Sequence, residues 1–459
     1  MDRDRLIEDS PPIIRSRRVV TPEGVRPAAL HLRDGAIRRV ADWDDVPRNI
    51  AVEDVGDLVL MPGLVDTHVH MNEPGRTDWE GFETATRAAL AGGVTTLLDM
   101  PLNSIPATTS IGGLEAKREA SRGKCSVDVG FIGGVVPGNT HQLPLLRAAG
   151  VLAFKCFLVH SGVDEFPGVG EEDLRDAFPT LATLGVPLMV HAEHPAHIVT
   201  APSAGSRAYA PYLYSRPPMA ERAAIEMLTR LVEWCRVPVH IVHLSSAEGL
   251  AAVRRAKSRG LPITAETCPH YLTFSADEIP DGATEFKCAP PIRSATERDA
   301  LWQGLLQGDI DLVVSDHSPA PPDVKDAGGD FFAAWGGIAS LQLGLSAVWT
   351  AAAARGVGLA ELARWMCGAP ASLVGLARRK GHIAAGRDAD LVVWDPGASF
   401  VVDPPLLQHR HPLTPYAGRR LRGIVRATYL RGRLVHRDGV FASPRGELLT
   451  APANPVAHA

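Results

Sequence analysis

The chain has 459 residues, 45% hydrophobic and 22% charged, and 47 basic against 52 acidic side chains give a formal net charge of -5. That length suits one large domain plus a smaller one, and the slight acidity excludes the basic footprint of a nucleic-acid binder or of a protein drawn to anionic membranes. The six cysteines (Cys125, Cys156, Cys235, Cys268, Cys288, Cys367) form no C-x-x-C pair and are too scattered for a disulfide framework, which points to a reduced, cytoplasmic compartment.

At the start, Met1-Asp2-Arg3-Asp4-Arg5 leads into charged residues without an apolar core, which reads against a signal peptide. Nowhere does an apolar run approach the roughly 18 residues of a bilayer span. Residues 13–60 read as short strands. Ile13-Ile14 and Val19-Val20 flank basic residues, and Asp34-Gly35 between Ala29–Leu32 and Ile37–Val40 is a hairpin signal.

The middle of the chain has a different rhythm. Apolar runs recur near Leu64-Val65, Val94–Leu98, Val127–Ile132, Leu152–Lys155, Pro187–Val190, Val239–Val242, Ile263–Ala265 and Leu312–Val314, with helical stretches between them. Near-continuous apolar runs indicate strands buried on both faces, as in a parallel sheet. Eight such units predict a (β/α)8 TIM-type barrel over residues 61–379. A doubly wound open sheet is the alternative, though no phosphate-cradling glycine motif supports it. Beyond the barrel, Asp390–Trp394 is a strand, and Arg431-Gly432 links Ala427–Leu430 to Leu434-Val435. Residues 1–60 and 380–459 together predict a small β-sandwich domain formed from both termini.

Barrels build their sites at the C-terminal ends of their strands. The first run ends in Asp66-Thr67-His68-Val69-His70, where alternation turns both imidazoles the same way. Alone, the pair is ambiguous between metal ligation and packing. The fourth run carries Lys155, costly in an apolar strand unless paired or chemically altered. The fifth ends in His191, the sixth in His243 and the eighth in Asp316. Packing explains any one of these, but not all of them on separate strands. Imidazoles and carboxylates in such a set suit zinc or a neighbouring divalent metal. With a modified lysine they can hold two ions about 3.5–4 Å apart. Asp66 shares parity with the histidines and either orients one of them or is a buried structural carboxylate. Arg76 is left without an assigned role.

From about Val55 to Tyr429 the chain resembles the amidohydrolase superfamily, and within it the cyclic amidases: dihydroorotases, hydantoinases or dihydropyrimidinases, and allantoinases. The motifs are Pro62–His70, Phe154-Lys155-Cys156-Phe157, Val190-His191-Ala192-Glu193, Val242–Ser246, Lys287–Arg293, Ser315–Pro319 and Gly386–Leu391. The resemblance implies that His68, His70 and Asp316 hold the more buried metal and His191 and His243 the more exposed one. Lys155, carboxylated by carbon dioxide, would bridge them.

Dihydroorotases place arginine where this chain has Asn72, asparagine where it has Ala289, and histidine where it has Ala320. Dihydropyrimidinases place tyrosine where it has His160. The loops Asn72–Phe82 and Asp99–Thr109 resemble those of allantoinases, as do Asp323-Val324-Lys325 and Ala334–Ala339. The resemblance therefore implies hydrolysis of allantoin to allantoate in a site of two divalent metal ions, expected to be zinc. Asp316 would move the proton, and Asn103, His160, Ala289 and Trp335 would contact the substrate. It also implies a homotetramer. A hydantoinase acting on another neutral cyclic ureide is the nearest alternative. A non-catalytic scaffold relative is the alternative of another class, and such relatives lose metal ligands that this chain keeps.

Overall fold

The computed structural model describes residues 11–202 and 204–451. The charged run Met1–Arg5 lies outside the described residues. Five strands open the chain: β1 (Ile13–Thr21), β2 (Gly24–Arg33), β3 (Ala36–Ala41), β4 (Val52–Asp54) and β5 (Val59–Pro62). Ile13-Ile14 and Val19-Val20 belong to the single strand β1, which carries an irregularity between Ser16 and Val19. Asp34 and Gly35, with φ of 53° and 76°, make the predicted β2–β3 turn.

The eight apolar runs become β6 (Leu64–Val69), β7 (Val94–Asp99), β8 (Asp128–Gly134), β9 (Ala153–Phe157), β10 (Leu188–His191), β11 (Val239–Ile241), β12 (Ile263–Thr267) and β13 (Leu312–Val313). They lie side by side in chain order, all parallel. The sheet curls until its ends meet through one bridge, Val69 to His317, in which His70 N–H donates to His317 O at 2.9 Å.

Alternation within a strand explains why these runs are apolar throughout. On β9, Ala153 joins one buried cluster and Phe154 another; on β10, Met189 and Val190 divide the same way. Val65, Leu98, Ile132, Ala153 and Met189 share the first of these clusters. Two residues on from Ala153 and Met189, toward the C-terminal ends, stand Lys155 and His191. Helices such as Phe82–Ala91, Glu171–Leu184, Pro218–Trp234 and Ala247–Ser258 follow the strands. Ser246 caps the last of these by accepting from Gly249 N–H at 3.1 Å.

The chain then returns through β14 (Leu391–Val401), β15 (Arg420–Leu430), β16 (Arg433–Arg437) and β17 (Val440–Phe441). These pair with β5 and β1 in one mostly antiparallel sheet ordered β17-β16-β15-β14-β5-β1-β2-β3. Ile14, Leu30 and Ile37 from one half share a core with Leu391, Tyr429 and Leu434 from the other, so a single sheet folds over itself to form the sandwich. Then β18 (Leu448–Leu449) leaves it and pairs with β8 of the barrel at Val129 and Gly130.

An ionic cluster joins the two bodies. Lys380 Nζ meets Asp128 at 2.6 Å, Asp388 at 2.9 Å and Asp390 at 2.5 Å, and Arg431 also pairs with Asp128. Among the described residues no helix is long and apolar enough to cross a membrane.

Candidate metal centre

The six predicted ligand positions converge at one end of the barrel. Ligand atoms of His68, His70 and Asp316 all lie within 4.8 Å of one another. His68 Nε2 is 3.2 Å and His70 Nε2 3.6 Å from Asp316 Oδ1. The His191 and His243 rings stand 4.6 Å apart, and His243 is 5.5 Å from His68. Lys155 is fully buried, its Nζ 4.8 Å from the centre of the Phe157 ring.

Three of the four histidines are oriented from outside, as metal-binding imidazoles are. His68 Nδ1 is 2.5 Å from Glu266 Oε1 on β12, and Glu266 Oε2 is held 2.9 Å from His240 Nε2. His191 Nε2 is 2.7 Å from Glu193 Oε2, and Arg216 grips the same carboxylate. His70 Nδ1 lies 3.4 Å from the Asn103 amide nitrogen. Each of these rings therefore keeps its other nitrogen for the centre.

Lys155 Nζ and His243 Nδ1 are among the buried atoms that have no hydrogen-bond partner. An orphaned buried amine and imidazole are expensive unless something else binds there. The electrostatics agree with the donor set. Burial, helped by the Lys155 charge, pushes His68 and His243 well below the ordinary histidine range. Burial lowers Lys155 to about 8, against the pull of Asp316 and Glu266. Burial also opposes the charge of Asp316, yet His70, His270 and Lys155 outweigh it and its pKa falls. Neutral imidazoles, an ionised carboxylate and an amine readily made neutral are the forms that metal binding and lysine carboxylation require. The residues present fit a binuclear divalent centre.

Local backbone conformation aims these groups. Asn72, Asn103, His243 and Asp316 take φ of 62°, 67°, 41° and 45°. Such left-handed non-glycine residues cost about 1–3 kcal/mol each and collect at functional sites. Asp66 accepts from Ser315 N–H at 3.1 Å and from His68 N–H at 3.1 Å. It therefore fixes the main chain beside two ligands and touches neither ring nitrogen in these bonds. Burial raises its pKa to about 7.

A cavity of about 530 Å³ opens above the centre. Asn103, Ala289 and Trp335 line it, and His160 stands at its mouth with 64% of its side chain exposed, 3.4 Å from Asp164. The Trp335 N–H is spent on Val324 O, and its carbonyl accepts from Lys325 Nζ at 2.9 Å. Arg76 pairs with Glu165 and donates to Asn103 O at 3.0 Å, tying two cavity loops together.

Reading strand ends alone missed Glu266, His240, Glu193 with Arg216, and His270, which together with Cys268 reaches Asp316. Glu266 and His240 carried a signal: both are polar residues within apolar strands, as Lys155 is.

The model of the Amidohydrolase family matches residues 59–435. An allantoinase of Streptomyces avermitilis is 52% identical over 95% of this chain and 98% of its own length. Allantoinases of Arabidopsis thaliana and Saccharomyces cerevisiae are 44% and 46% identical, covering 94% and 87% of this chain and 89% and 87% of their own. Among solved structures, the L-hydantoinase (dihydropyrimidinase) of Arthrobacter aurescens superposes with a TM-score of 0.90 at 30% identity, over 95% of this chain and 99% of its own. With the barrel, the convergent side chains and these likenesses together, the chain belongs to the amidohydrolase family, as a cyclic amidohydrolase of its allantoinase branch.

Proposed function

We propose that the chain hydrolyses the ring amide of allantoin to give allantoate. The observation that carries this reading is the 52% identity, over nearly the whole of both chains, with a protein named allantoinase. The surroundings of the centre support a neutral substrate. Asn72 is buried with its amide turned to Pro319 O at 3.4 Å, and no arginine stands there to meet a substrate carboxylate.

Two divalent ions, zinc by the chemistry of the donors, would be held by His68, His70 and Asp316, and by His191 and His243, with carboxylated Lys155 between them. When bound, they supply Lewis acidity, making hydroxide available near neutral pH and polarising a carbonyl oxygen. Glu266 and Glu193 hold the His68 and His191 rings in register. Asp316 Oδ1 faces His68, His70 and Ser318 Oγ, so Oδ2 is the atom that takes a proton and returns it to the departing ring nitrogen.

Asn103 Oδ1, buried and without a partner, accepts from a ring N–H. Ala289 offers its main chain, and Trp335 the second lone pair of its carbonyl. His160, at the open mouth, makes the weakest contact. The enzyme works as a cytoplasmic homotetramer.

Side-by-side turnover of allantoin, hydantoin and dihydrouracil, with zinc and bicarbonate supplied, tests the reading. Allantoin is expected to have the highest kcat/KM. The hydantoinase alternative draws on the 0.90 superposition and would be established by hydantoin outrunning allantoin.

A further inference from the structure

The cavity holds two cations away from the centre, and they are not equivalent. Arg216 is neutralised by Glu193, with Nη2 at 2.6 Å from Oε2 and Nε at 3.1 Å from Oε1. Lys287 is buried too, yet among the described residues its ammonium pairs with no carboxylate. Its Nζ donates to Phe332 O at 3.0 Å and to Ala334 O, and it lies 5.1 Å from the centre of the Tyr212 ring. An ammonium has three N–H donors, so these two carbonyls leave one over, on a residue that lines the cavity. Asp330 acts on it only from beyond ion-pair distance, and a buried cation with spare donor capacity and no carboxylate in contact is costly unless a ligand uses it.

Its position says which part of a ligand. A Cβ built on Gly336 would lie 3.9 Å from Ala289 N and 4.0 Å from Lys287 Cε. The main chain of Ala289 and the stem of Lys287 thus border one patch of wall. A cavity of about 530 Å³ has room for a substituent beyond the ring. We infer that Lys287 Nζ donates to the carbonyl oxygen of the ureido arm carried by the ring, so that this lysine selects ureido-bearing rings over rings with an apolar arm of equal size. The inference rests on the proposed allantoin reading.

The test uses two substrates, allantoin and 5-isobutylhydantoin, whose arms match in their non-hydrogen skeleton. The readout is the ratio of their kcat/KM values in the zinc-loaded enzyme and in Lys287→Met. A hydrogen bond from a charged donor predicts a wild-type ratio of about 10 to 100 in favour of allantoin, expressed mainly in KM. In Lys287→Met the ratio falls toward one, whatever the variant's absolute activity. A variant in which both substrates decline together, ratio intact, makes Lys287 a strut for the wall and overturns the inference. So does a wild-type ratio near one, a result that needs no variant to fold. A wild type that opens isobutylhydantoin and not allantoin overturns the proposed function as well. One that opens allantoin, but whose ratio ignores Lys287→Met, overturns only the role of the lysine.

Discussion

Lys155 and Lys380 are both buried, and their surroundings are opposite. Lys380 sits between the sandwich and the barrel among Asp128, Asp388 and Asp390, which raise its pKa although burial opposes them. Lys155 sits in the barrel with an unpartnered Nζ, and burial lowers it to about 8. The first has the environment of a cation that holds two bodies together. The second has that of an amine kept available for chemistry. Burial alone therefore says little about a lysine's purpose; the completeness of its hydrogen bonding says more.

The largest expected effect comes from Lys155→Ala. It should cut turnover by at least about 10³-fold, the scale of losing part of a preorganised charge-stabilising set, while leaving the thermal midpoint near wild type. Metal analysis alongside the assay should find less than two ions per chain. If this variant unfolds instead, the contrast between the two lysines is lost.

Lys380→Met should do the reverse. It leaves Asp390 without its ion-pair partner, and Asp128 and Asp388 with only Arg431 and Arg379; breaking a buried ion pair costs about 3–5 kcal/mol, readable as a lower urea midpoint, with kcat/KM in the surviving folded protein close to wild type. Glu266→Gln should lower activity or metal affinity about 10- to 100-fold by loosening His68, with stability little changed. Recovery of metal-stripped protein in bicarbonate and zinc sharpens the comparison from another side. Carboxylation joins dissolved carbon dioxide to the neutral amine, whose fraction grows with pH, so with carbon dioxide held at one concentration across the series the initial recovery rate should climb about tenfold per pH unit below 8 and level off above it. A flat profile would mean that Lys155 is not the group being modified. His160→Ala should matter least, about twofold, because its ring is largely exposed.

Much of this architecture was legible in the residues. The eight apolar runs became eight parallel strands because both faces of each are covered, and the polar residues at their ends meet because a closed barrel brings those ends together. What stayed hidden depends on contacts between distant segments. Glu266 faces His68 across 198 positions, and Arg410, from the return into the sandwich, donates to Glu80 beside the first barrel strand. Local pattern reports which face a residue takes, not which partner it meets there. For the same reason Asp66 was ambiguous until the Ser315 N–H appeared opposite it. The departure of Leu448-Leu449 to the barrel is likewise decided by a vacant edge on another strand, which no periodicity in two residues announces.

The seam where the curled sheet closes has a consequence for biosynthesis. Val69 and His317 meet there, and Asp66 reaches Ser315 across 249 positions. A chain still emerging from the ribosome carries His68 and His70 early but lacks Asp316 until its eighth strand has been made. A protein truncated before that strand would own five of the six proposed ligands and still have an open sheet. The donor set of the proposed centre is thus complete only once translation has passed the last barrel strand.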